Sequence, residues 1–327
     1  VYAELQPVKN LKLRTVFGAV YGSSEYRSFT PMYQFSIYSY NNTRTSASQN
    51  MSHSLGMTWT NTATYDWKVK DHAFNALIGM EVYQYSGTYL SAGTGTLREG
   101  FDDWDHAYVA NGTASSADDG MSVDGYPQDE SRSVSYFGRF GWNWKETYMI
   151  NATLRADGSS KLGANNKWGF FPSASLAWVL KEESFLKDVD VVSNLKIRTG
   201  YGLTGNQDAI SAYNSLKLMS PTGVTTVNGK PVVTYGINRN DNPDLKWEVK
   251  RMFDIGIDAG FFEDRLTGTL DYYYSKTSDL LYNYAVPVPP FAFNTLLANL
   301  GEMENTGIEV AVTGVPVKTK DMELTIS

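Results

Sequence analysis

Cysteine is absent from the 327 residues, so disulfides, thiolate metal sites and cysteine nucleophiles are all excluded. Histidine is scarce: His53, His72 and His106 are scattered and form no HExxH, which leaves no histidine-based metal motif. Charged residues make up only 19% of the chain, and their balance is −7. Without clustered Lys and Arg, a nucleic-acid partner is not expected. The opening VYAELQPVKN has no basic stretch followed by an apolar one, so no signal peptide is visible. Long hydrophobic runs are missing too. The longest uncharged stretch, between Asp279 and Glu302, holds Pro287, Pro289, Pro290 and three Asn, which rules it out as a spanning helix.

Aromatic residues are plentiful instead. They form 14% of the chain, with 22 Tyr, 15 Phe and 8 Trp, and Tyr and Trp favour surfaces that are apolar on one side and wet on the other. The mean hydropathy of −0.34 suits a soluble protein. It suits a membrane β-barrel equally, because only alternate strand residues face lipid.

Alternation with period two dominates the pattern. In RMFDIGIDAGFF, Phe253, Ile255, Ile257, Ala259 and Phe261 share one face, while Asp254, Gly256 and Asp258 share the other. After a tight break at Glu263 and Asp264, Leu266, Leu270, Tyr272 and Tyr274 oppose Thr267, Thr269, Asp271 and Ser275. The same split recurs at 73–84, 147–157 and 195–204. Strands are expected near 10–25, 51–65, 72–86, 132–144, 147–160, 168–180, 194–206, 246–262, 265–281, 302–315 and from 321 onward. That makes about eleven strands in one domain covering 1–327.

The connections between these strands alternate. Short to moderate ones fall near 66–71, 145–146, 181–193, 263–264 and 316–320. Long ones fall near 26–50, 87–131, 207–245 and 282–301, with 161–167 taking its turn in the long set. Antiparallel strands place successive connections at opposite ends, so one tight rim and one elaborate rim are expected, as in an outer-membrane barrel. Many strands exceed the ~5–6 residues usual in soluble sheets and reach the ~9–11 needed to cross a bilayer at a tilt. Trp142, Trp144, Tyr148 and Phe261 lie beside the short turns, and Tyr272 and Tyr274 toward the other rim. Aromatic girdles at both interfaces are the expected pattern. The alternative is a soluble β-sandwich or lectin-like carbohydrate-binding protein, whose apolar faces would be hidden by a second sheet.

Motifs for chemistry are few. GTGTLREG at 93–100 fails the GxGxxG spacing, and no GxSxG elbow is present, so no nucleotide site, catalytic residue or cofactor is expected. The 99–130 stretch carries Glu99, Asp102, Asp103, Asp105, Asp118, Asp119, Asp124, Asp129 and Glu130. Clustered oxygens could hold Ca²⁺ or contact sugar, but DDWD lacks EF-hand spacing, and a solvated acidic loop is the favoured reading. No two of these carboxylates stand out as a glycosidase pair. The remaining candidates are charges on the polar strand faces: Arg155, Asp157, Asp254, Asp258 and Asp271 are expected to face a lumen or plug. A Lys or Arg on the lipid side costs ~2–4 kcal/mol near the midplane.

Several long stretches resemble the SusC/RagA family of TonB-dependent outer-membrane transporters. They are RADGSSKLGANNKWGFFPSASLAW (155–178), NLKIRTGYGLTGNQ (194–207), NPDLKWE (242–248), DIGIDAGFFEDRLTGTLDYYYSKTSDLL (254–281) and LGEMENTGIEV (300–310), with SYFGRFGW at 135–142. They occur in the family's order over roughly the C-terminal two thirds. The resemblance implies an all-β, antiparallel transmembrane barrel of 22 strands, of which this chain would be about half. It implies a plug, a SusD-like surface lipoprotein over the mouth, and uptake of oligosaccharides or peptides across the outer membrane of a Gram-negative, Bacteroidota-type bacterium. Energy would come from the TonB complex. No plug or TonB box is seen before Val1, and the chain stops at MELTIS inside an expected strand. The expectation is therefore a barrel segment with its plug and C-terminal strands elsewhere.

Overall fold

The computed structural model describes residues 1–42, 44–113 and 120–327. Among them are β1 (Tyr2–Val8), β2 (Leu11–Thr30), β3 (Tyr33–Ser36), β4 (Ser39–Asn42), β5 (Ser46–Val69) and β6 (His72–Thr94). Next come β7 (Met121–Trp144), β8 (Tyr148–Ser159), β9 (Trp168–Val179), β10 (Val192–Asn206), β11 (Leu218–Val227) and β12 (Lys230–Arg239). The last are β13 (Glu248–Phe261), β14 (Leu266–Ser278), β15 (Leu281–Ala285), β16 (Thr295–Asn299), β17 (Glu302–Lys318) and β18 (Glu323–Ile326). No α-helix occurs among the described residues, only two short 3₁₀ turns.

Twelve strands form one sheet in the order β1-β2-β5-β6-β7-β8-β9-β10-β13-β14-β17-β18. Each strand pairs with its predecessor in the sheet, so the topology is a meander. The ladders from β7 to β18, and between β1 and β2, are antiparallel. The three skipped pairs, β3–β4, β11–β12 and β15–β16, are separate hairpins inside long connections. The tight turns use residues in the left-handed region, such as Lys145 and Glu146 (φ 54° and 59°). Asn228 and Gly229 (φ 52° and 74°) turn β11 into β12, the two-residue Asn-Gly hairpin favoured by right-handed strand twist.

Strand extents depart from the sequence expectation in two ways. The sheet has twelve strands rather than eleven, because Tyr2–Val8 pairs with β2. β2, β5, β6 and β7 also run far into segments expected as loops, so the connections at 26–50 and 87–131 shrink to 31–45 and 95–120. Their Ser-, Thr- and Tyr-rich ends have no apolar face for the alternation to reveal.

The chain forms two compact units: Val1–Val16, Trp59–Val82 and Ser133–Ser327 in the first, Phe17–Thr58 and Tyr83–Arg132 in the second. The first has a small core of Leu162, Phe171, Ile210, Leu245 and Trp247. The second has Ala47, Leu97 and Ala107, with Phe29 against them. The first unit's core leaves the apolar face of its own strands uncovered. Leu154 is 56% exposed, Leu176 50%, Val310 66% and Ile308 70%. A soluble sandwich would bury these side chains under a second sheet. Here they form an apolar surface of the kind that a membrane covers.

Candidate functional site

Register fixes the two faces of the first unit. Arg155 lies opposite Phe171 and Asp157 opposite Gly169. Along β9, Ser173 and Ser175 keep that parity and pair with Gly202 and Gly200. Gly200 pairs with Asp254, Arg198 with Gly256 and Lys196 with Asp258. Gly256 in turn pairs with Asp271. Arg155, Asp157, Asp254, Asp258 and Asp271 therefore all project from one face. Leu154, Leu176, Ile197, Ile255, Ile257, Leu270, Tyr272 and Val310 project from the other.

Four of the five charged candidates are drawn into ion pairs. Arg155 Nε donates to Asp157 Oδ1 at 2.8 Å, its Nη2 donates to Ser135 at 2.9 Å, and Glu81 lies 3.6 Å away. Arg198 bridges two strands: its Nη2 donates to Asp271 at 2.9 Å, and its Nε donates to Asp258 at 3.3 Å. Lys196 completes the group, 3.2 Å from Asp258. The bridge needs glycine at 256, because a Cβ there would overlap the Asp271 carboxylate and the Arg198 guanidinium. Asp254 makes no ion pair among the described residues. By alternation, the sequence pattern puts Lys196 and Arg198 with the polar set of 195–204 and Glu81 with that of 73–84. It could not show which carboxylates they meet, because that depends on register.

At the tight-turn end of the first unit, aromatic rings run in a chain from strand to strand. Trp67 stacks on Phe74 (4.9 Å), His72 on Trp144 (5.8 Å), Trp144 on Tyr148 (5.5 Å) and Tyr148 on Trp178 (6.0 Å). Trp142 Nε1 donates to His72 at 3.1 Å. The connection 180–191 closes the chain: Glu183 accepts from Tyr148 OH at 2.5 Å and from Trp178 Nε1 at 3.0 Å. Those two hydrogen bonds hold the Glu183 carboxyl below its ordinary value. Rings with polar tips in such a row suit a membrane–water interface. His72 belongs to this belt.

At the opposite end of the first unit, the long connections pack on one another. The Gly- and Asn-rich turn at 160–167 looks in isolation like a ligand-cradling loop, but it is anchored to its neighbour. Gly163 N donates to Leu245 O at 2.9 Å, Asn165 Nδ2 to Asp244 Oδ1 at 2.7 Å and Asn166 Nδ2 to Asp244 O at 2.9 Å. Beneath it, Leu162 is fully buried with Ile210 and Leu245. Asn240 donates to the carbonyls of Phe293 and Thr295 and accepts from the amides of Ala292 and Phe293, tying 279–301 to the same assembly.

In the second unit, Asp103 and His106 form an exposed pair, with Nδ1 2.9 Å from each carboxylate oxygen. The hydrogen bond raises His106 and lowers Asp103. Arg27 lies over Trp104 and Tyr108, 4.3 and 4.5 Å from their ring centres. No group of three or more metal-ligating residues occurs among the described residues. Of the acidic residues singled out in the sequence, Asp118 and Asp119 lie outside the described residues.

The family described as TonB dependent receptor-like, beta-barrel matches residues 7–324. The chain belongs to this family. Among curated relatives, TonB-dependent receptor SusC of Bacteroides thetaiotaomicron is 38% identical over 196 residues, 59% of this chain and 20% of that protein. TonB-dependent receptor P39 of Formosa agariphila is 38% identical over 195 residues, 59% of this chain and 18% of that protein. The matched stretches thus span about a fifth of these relatives. Among solved structures, that of the RagAB peptide transporter is similar over 99% of this chain and 34% of the matched one, with TM-score 0.81 and 25% identity. The siderophore receptor PiuA of Acinetobacter baumannii shares the fold at TM-score 0.56 and 13% identity, over 97% of this chain and 44% of that one. The TonB-dependent receptor barrel accounts for the meander, the apolar face and the alternating connections.

Proposed function

We propose that this chain is part of the barrel wall of an outer-membrane transporter that imports oligosaccharides or peptides. The exposed, continuous apolar face of a family-typical sheet carries the reading: it needs lipid on one side and leaves the charged face to a wet lumen. Arg155, Asp157, Asp254, Asp258 and Asp271 are then lumen-facing, and the aromatic row marks the periplasmic interface. The packed long connections form part of the extracellular mouth. Likeness to SusC and to the RagAB peptide transporter supports import of molecules too large for a porin. A SusD-like lipoprotein would close the mouth, and the TonB complex would supply energy through a region outside residues 1–327. A plug and further strands would complete the barrel.

The test is fractionation of the full-length gene product from a Gram-negative, Bacteroidota-type host. It is expected in the outer membrane with heat-modifiable gel mobility, and a surface lipoprotein is expected to co-purify with it. Recovery as a soluble periplasmic protein would overturn the reading.

A further inference from the structure

On the polar face, β8, β9, β10 and β13 meet at a shallow depression of about 300 Å³. Its floor is Ser173, Ser175, Gly200 and Gly202, and its sides carry Asn151 and Asp254. Register confirms the grouping: Asn151 pairs with Ser175, Ser175 with Gly200, and Gly200 with Asp254. The Asp254 carboxylate lies across Gly200, with Oδ1 2.8 Å from where a Cβ would stand.

Charge on this face is unbalanced. From β10 to β17 this face carries Lys196, Arg198 and Lys250 against Glu248, Asp254, Asp258, Asp271 and Glu309. Lys196 and Arg198 are committed to Asp258 and Asp271, Arg155 is committed to Asp157 and Glu81, and Lys250 lies further along the ladder, opposite Thr204. Asp254 is left facing a recess lined by hydroxyls and an amide, with no ion-pair partner among the described residues.

We infer that this depression binds an ammonium or guanidinium group. A cation placed there makes charge-assisted hydrogen bonds to Asp254, and Ser173, Ser175 and Asn151 supply further acceptors for its remaining N–H groups. An anion would be repelled by the surplus carboxylates, and an apolar group would strip the hydroxyls of water without replacing it. The recess is the size of one long side chain rather than of an oligosaccharide. Its occupant is a basic group of the cargo, or of polypeptide that fills the lumen. The inference rests on the polar face lining that lumen.

Cysteine labelling of the full-length transporter in native outer membranes tests both layers, since residues 1–327 contribute no background thiol. A water-soluble maleimide is expected to label Ser175→Cys and spare Leu176→Cys. The reverse would sink the lumen assignment itself. With that settled, a cationic methanethiosulfonate should modify Ser175→Cys on the order of fivefold faster than an anionic one. Arginine amide should slow it, and Asp254→Asn should erase both effects if the cation comes from cargo. If the protein's own polypeptide supplies the cation, both reagents react slowly, and 1 M salt (about a 3 Å screening length) accelerates both unless Asp254 is Asn. Equal rates for the two reagents, indifferent to Asp254→Asn, arginine amide and salt, would overturn the inference.

Discussion

Arg198 reaches across Gly256 to Asp271, bringing the guanidinium within 2.7 Å of the carboxylate two strands away. Register makes the three residues cross-strand neighbours on one face. Any side chain at 256 must displace one partner or the other. Gly256→Val is therefore expected to destabilise the barrel by about 1–3 kcal/mol. Arg198→Met should lose a similar amount, and the double variant little more than either. Urea denaturation of the full-length protein in detergent measures it. Additive losses would show that Gly256 matters for something other than this bridge.

Leu162 is the buried foot of the 160–167 turn. Leu162→Ala should cost about 2–5 kcal/mol locally. Because the loss falls on the packed loops, trypsin should cut the long connections faster while heat-modifiable mobility stays intact. Loss of barrel assembly in this variant would show that the loop core is needed to build the sheet.

Glu183 joins the aromatic row to the turn below it. Its pKa is depressed by hydrogen bonds from Tyr148 and Trp178. Those bonds are at full strength above the ordinary value of 4.5 and fade as pH falls through the lowered value. Trp178 fluorescence is expected to change on acidification only below pH 4.5, and Glu183→Gln should remove the step. A step that survives in Glu183→Gln would assign it to another group.

The Asp103–His106 pair has a two-sided window. His106 is raised above 6.5, so its contribution is complete below that value and lost as pH rises through the raised one. Asp103 is lowered below 3.8, so its contribution is complete above that value and lost as pH falls through the lowered one. The pair is at full strength between 3.8 and 6.5. NMR titration of His106 should give a midpoint above 6.5 that returns toward the ordinary value in Asp103→Asn. Both groups are well exposed, so added salt should shrink the shift.

Period-two patterning made the faces legible, because side chains alternate strictly and lipid tolerates few charges. Ile255 and Asp254 fall on opposite faces of the sheet, as that rule predicts. The alternation of connection lengths was legible for the same reason: turns leave gaps in the pattern. What the sequence hid is contact between strands. Arg198 lies 73 residues from Asp271, and only register shows that a glycine separates them. Asn228–Gly229 is a local hairpin signal inside the long 207–245 connection, so β11–β12 is readable from the sequence. The anchoring of 160–167 on Asp244 and Leu245 was not readable, because Gly and Asn serve free and docked turns alike.

Arginine substitution on the two faces of adjacent strands tests the central claim most directly. Ile257→Arg places a cation on the apolar face, and Thr269→Arg places one on the polar face opposite Asp258. Heat-modifiable assembly of the full-length protein into outer membranes reads the result. Ile257→Arg is expected to lose assembly, at a cost of about 2–4 kcal/mol near the midplane, while Thr269→Arg assembles as the parent does. Equal tolerance of both, or loss at Thr269 alone, would contradict a sheet with lipid on its isoleucine face.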